Sequence, residues 1–207
     1  MKLREPATFW TDCGLAAWSA CLAASLVMRA TGPLSPALTW WVAAFATCAL
    51  AATAGAVHHG LGHGLSLGIN RAAWHLALLS LVGTGFCLTQ IAALNVFQGA
   101  ALTLAQIAAT IVTAILAVVA LRVEKFSVAV LAYGIGQILV LMSAVLTREV
   151  QPPSRLPWLA AAVAASAIAA GVQHFRLGPS RHFNHNDLYH VVQAIAQGAF
   201  YLAAATY

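Results

Sequence analysis

Eight histidines are the residues best equipped for chemistry in this chain of 207. They form two groups, His58, His59, His63 and His75 in the first half and His174, His182, His185 and His190 near the end. Neutral imidazole is the commonest protein ligand of zinc. A catalytic zinc takes three protein ligands and leaves a fourth position for water. His59 and His63 are four residues apart, the spacing of coordinating pairs on helices, with glycines between them. Asn186, His190, Gln193 and Gln197 follow i, i+4, i+7, i+11 spacing, which puts a polar stripe on one face of an otherwise apolar helix. Such a stripe must face other helices or water. Asn186 and Asp187 are also placed to cap that helix, a purely structural role. For each histidine taken singly the competing role is a hydrogen-bonded residue at a helix end, and His174 is assigned to it.

The elements that position these residues follow from composition. The chain is 61% hydrophobic and 7% charged, with a mean hydropathy of +0.84. A soluble domain is about 25% charged, so the composition excludes a soluble enzyme, a disordered chain and a nucleic-acid binder. The net charge of +5 is too dilute for a basic patch and reads as a topology signal. A membrane helix needs roughly 20 mostly apolar residues. Seven candidates occur near 9–29, 37–58, 73–93, 98–121, 125–146, 157–173 and 187–206, separated by Gly, Pro and charged breaks. The expectation is an all-α integral membrane protein, one seven-transmembrane-helix bundle over 1–207, because backbone groups in lipid must be satisfied within each segment. Glu5, Pro6 and Asp12 interrupt the charged N-terminus, so the first span is expected to be retained rather than cleaved.

Sorting cations by side puts Lys2, Arg4, Arg71, Arg122, Lys125, Arg176 and Arg181 with the N-terminus, against Arg29, Arg148 and Arg155. That bias predicts a cytoplasmic N-terminus and an outside C-terminus. Trp10, Trp40, Trp41, Trp74 and Trp158 lie near span starts, as interfacial anchors do. Cys13, Cys21, Cys48 and Cys87 form no CxxC pair and are expected as small buried hydrophobes. A retinal protein is excluded, since the last span has no lysine. Under this topology all eight histidines share one side of the membrane. Intramembrane polar groups default to functional hypotheses.

At residue level the chain resembles the superfamily of seven-span membrane hydrolases that includes alkaline ceramidases, adiponectin/progestin-type receptors and haemolysin-III-like proteins, as a divergent bacterial-type member. His58 matches the second-span zinc ligand and His63 a further histidine five residues on. His190 matches the second histidine of the seventh-span pair; the first falls on Asn186, beside His185. The family serine falls on Ala54 and the third-span aspartate on His75.

The resemblance implies a zinc-dependent hydrolase of a lipid amide or ester, with a membrane lipid as substrate or ligand. His58, His185 and His190 are then the zinc ligands, with His59 and His63 competing. His75 or Asp187 is the proton carrier, and Asn186 and Gln193 give polar support. Two other classes stay open: a non-enzymatic receptor or binding module with a structural metal, and a haem b protein with His75 and His190 as axial ligands.

Overall fold

Prolines and small polar residues set most of the helix starts. The computed structural model describes residues 3–62, 64–180 and 182–207, so His63 lies outside the described residues. Pro6 opens α1 (Pro6–Arg29) and Pro36 opens α2 (Pro36–Ala56), where a missing N–H costs nothing. Ser35 caps α2 by accepting from the Leu38 amide at 3.2 Å. One π-helical turn, Val57–Leu61, continues α2 and carries His58 and His59. Ser66 caps α3 (Leu67–Val96), which starts six residues earlier than the expected span. α4 (Gly99–Val123) ends on Glu124 in the left-handed conformation, φ 55°. α5 (Phe126–Leu146), α6 (Arg155–His174) and α7 (His185–Ala204) complete the chain. All regular structure among the described residues is helical.

Six of these helices are long and apolar enough to cross a membrane. α7 has spanning length at 20 residues but stands apart from the other six because of its polar stripe. Packing contacts run α1–α2–α3–α5–α6–α7 and back to α1, a closed ring, with α4 outside it against α3 and α5. Accordingly α3 buries thirteen residues, whereas α4 buries Ala120 alone. α3 and α5 meet backbone to backbone at two glycines. A Cβ on Gly85 would lie 2.4 Å from the Ala132 carbonyl oxygen, and one on Gly136 would lie 2.4 Å from that of Gly85.

Two sequence expectations are corrected here. Trp41 is not an interfacial anchor: it is 1% exposed and packs on Phe45, Phe200 and Tyr207. The chain end folds back on the start of α2 and covers it. Of the cysteines, Cys48 and Cys87 are buried as expected, but Cys21 is exposed.

Candidate functional site

The stripe on α7 meets a matching stripe on α1. Thr8, Asp12 and Ser19 share one buried face of α1, and Asp187, His190 and Gln197 share one of α7. Thr8 donates to Asp187 Oδ1 at 2.8 Å, Trp18 Nε1 to the Ala194 carbonyl at 3.0 Å, and Ser19 to Gln197 Oε1 at 2.6 Å. Ser25 and Tyr201 place their hydroxyl oxygens 2.7 Å apart. Residue numbers rise together along this seam, so α1 and α7 run parallel and stay in contact over nearly their full length.

His190 is held on both sides. Its Nε2 lies 3.2 Å from Asp12 Oδ1 and its Nδ1 lies 3.0 Å from Thr11 Oγ1. Asp12 is 2% exposed and His190 9%. A carboxylate and an imidazole withdrawn from water this far persist because each satisfies the other. The second oxygen, Asp12 Oδ2, is buried without a hydrogen-bond partner among the described residues. Leaving a buried acceptor unsatisfied costs about 1–3 kcal/mol, more for a charged group. Gly55 makes room for the carboxylate: a Cβ there would lie 3.1 Å from Oδ1 and 3.2 Å from Oδ2.

Asp12 and His190 line a cavity of about 110 Å³ inside the ring. Every ring helix contributes a wall: Leu15 from α1, Ala52 from α2, Ala77 from α3, Tyr133 from α5, Gln173 from α6 and Gln193 from α7. Gln193 Nε2 donates to the Tyr133 hydroxyl at 2.8 Å. Gln173 Nε2 donates to Asn186 Oδ1 at 2.9 Å, and Gln173 Oε1 is a second buried acceptor without a partner. An aromatic arc bounds one side, with ring centroids 6.1 Å apart for Trp74–Phe126 and 5.7 Å for Phe126–Tyr189.

The residues singled out from the sequence are distributed as follows. The described histidines do gather at the end of the ring where α1 begins, but they do not converge. His58 stacks on Trp74 at 4.9 Å, with its Nδ1 3.4 Å from the Asn70 carbonyl. His59 reaches the cavity, and its Nδ1 lies 3.5 Å from Glu5. His185 opens α7 and lines a separate pocket with His174 and Arg176. Both nitrogens of His190 are engaged. Among the described residues no three His, Cys, Asp or Glu side chains are grouped so as to hold a metal ion. The cavity is also smaller than the ~150 Å³ that accepts benzene, well short of a haem.

Both carboxylate oxygens of Asp187 are engaged. Asn184, rather than Asn186 or Asp187, is the N-cap of α7, accepting from the Asn186 amide at 2.7 Å. Asp187 returns the capping box by accepting from the Asn184 amide at 2.6 Å, and Thr8 takes its other oxygen.

His75 lies off the cavity, with Nε2 2.9 Å from Glu124 Oε1, which also accepts from Arg71 Nε at 2.7 Å. These two partners hold the Glu124 carboxyl below the usual carboxylate range. Its contribution to stability is therefore complete above the unfolded-state value, ~4.3, and is lost as pH falls through the lower folded-state value. Glu124→Gln is expected to lower the melting temperature at neutral pH. The gap from wild type should close as pH falls below about 4, which thermal melts across a pH series would show.

Comparison with known proteins finds one match. The sequence profile of a family of unknown function, DUF6962, matches residues 7–207. No match is found among curated proteins or among solved structures. The match runs from the first turn of α1 to the last residue and takes in both stripes and the cavity. The chain belongs to this family of unknown function, DUF6962.

Proposed function

We propose that this is a seven-span integral membrane protein that binds a small polar ligand in the cavity inside its helix ring. The observation that carries the reading is Asp12 Oδ2, a buried carboxylate oxygen with no partner among the described residues, on a side chain that lines that cavity. Intramembrane carboxylates are costly and persist where they meet a partner, a substrate or an ion. One oxygen of Asp12 has its partner in His190; the other awaits one. α7 serves as the seventh span because its polar stripe turns inward, leaving Val191, Ile195 and Leu202 exposed outside. The cation bias places the N-terminus in the cytoplasm and the cavity toward the cytoplasmic leaflet.

Binding is favoured over metal-dependent lipid hydrolysis by the scattering of the candidate ligands. Cys48 lines the same cavity and reports on access to it. In purified protein, methyl methanethiosulfonate is expected to modify Cys48, and Ala52→Leu, which puts a side chain into the cavity, should slow that reaction at least tenfold (~1.4 kcal/mol). Peptide mass spectrometry measures both. A Cys48 that stays unmodified in folded protein would sink the reading, and Asp12-dependent fatty-acid release from a panel of lipid amides and esters would replace it with hydrolysis.

A further inference from the structure

We infer that the ligand is a small organic ammonium ion, its N–H donated to Asp12 Oδ2 and its alkyl groups set against the Trp74, Phe126 and Tyr189 wall. This rests on reading the cavity as a binding site and adds the chemical class of what it binds. The two buried groups of cavity-lining residues that have no partner among the described residues, Asp12 Oδ2 and Gln173 Oε1, are acceptors. A complementary ligand must therefore be a donor, and a carboxylate oxygen prefers a charged one.

This end of the ring carries more Lys and Arg than Asp and Glu, but the charge nearest the cavity points the same way. Three of the chain's five acidic residues, Glu5, Asp12 and Asp187, sit at this corner of the ring. Glu5 is met by Arg4 and His59, and Asp187 by Thr8 and the Asn184 amide. Among the described residues no lysine or arginine lines the cavity. Asp12 lines the cavity, and its Oδ2 is the carboxylate oxygen of this group left without a hydrogen-bond partner among the described residues.

The walls select an organic cation over a metal ion. Aromatic faces attract alkylammonium groups, worth about 2 kcal/mol or more once desolvated. The alanine and leucine surfaces opposite, Ala52, Ala77 and Leu81, offer no oxygen to replace a metal's hydration shell. At about 110 Å³ the cavity takes a compact group smaller than benzene's ~150 Å³ site.

The test uses Cys48 as the reporter, with tert-butylammonium and its neutral near-isostere tert-butanol as probes. In wild-type protein, tert-butylammonium is expected to slow Cys48 modification about tenfold at ten times its Kd, and to leave the exposed Cys21 unaffected. tert-Butanol should give no protection at the same concentration. Asp12→Asn should raise the half-protecting concentration of the cation roughly 10- to 100-fold, the loss of one hydrogen bond to a charged group. Should that variant fail to fold, Ala52→Leu leaves Asp12 intact and is expected to abolish protection. Equal protection by both probes overturns the cation and keeps the binding site. So does protection by sodium chloride alone, which would assign the site to a metal ion. Ready modification of Cys48 that neither probe slows overturns the inference as well. A Cys48 inert in folded protein overturns instead the underlying reading of the cavity.

Discussion

Alanine at Gly85 or at Gly136 is expected to force α3 and α5 apart and to cost the most stability of any single methyl group added to this fold. The added Cβ would meet a backbone carbonyl at 2.4 Å in either case, and a backbone, unlike a side chain, has no alternative rotamer. Overpacking costs about 1–3 kcal/mol where neighbours yield, so the expected loss lies at or above the top of that range. Helix propensity works the other way, favouring alanine over glycine by up to ~1 kcal/mol, and it does not offset the clash. Gly134 is the control: it lies on the same helix with nothing within 4 Å of its Cβ position, and Gly134→Ala should be neutral or stabilising. Unfolding followed by circular dichroism in detergent measures all three. A Gly85→Ala protein as stable as Gly134→Ala would mean that the two helices do not cross this closely.

Much of this arrangement can be read along the chain and some of it cannot, for reasons that differ by residue. Helix number and approximate limits follow from apolar runs and their Gly and Pro breaks, because those are local. The gathering of the histidines at one end follows equally, since consecutive helices joined by short loops must alternate in direction. Convergence on a metal does not follow, because it depends on side-chain direction. The π-helical turn rotates His58 and His59 away from straight helical register, and His185 falls at the first residue of α7, on the rim.

Asp12 is the instructive omission. Taken as one of several charges interrupting the N-terminus, it instead lies two turns into α1 and is buried. Its signal was present: Thr8, Asp12 and Ser19 repeat on α1 the same kind of spacing that marks the stripe on α7. Nothing local says that the two stripes face each other. The Thr8–Asp187 contact spans 179 residues and arises from closure of the ring, a property of the whole fold.

Breaking the pair at the centre of that closure is the second large effect. Asp12→Ala strands the His190 Nε2, and His190→Ala strands both oxygens of Asp12. Removing one member of a buried hydrogen-bonded pair costs about 1–3 kcal/mol, more where the survivor is charged, because the survivor keeps its desolvation penalty and loses its partner. The double variant leaves neither group behind and should cost less than the sum of the two by roughly 0.5–3 kcal/mol. Thr11→Val removes only a hydroxyl at the far nitrogen of His190 and should cost about 1 kcal/mol. Asp12→Asn keeps the shape and removes the charge. If shape alone held the seam together, Asn would substitute freely in stability. The prediction is that Asn restores part of the stability lost in Asp12→Ala while the cation's protection of Cys48 stays weakened roughly 10- to 100-fold. Additive single variants in the unfolding cycle would show that Asp12 and His190 do not act as a pair. Two roles are thereby separated: Oδ1 closes the ring against His190, and Oδ2, without a partner among the described residues, is the atom on which the cation's protection depends.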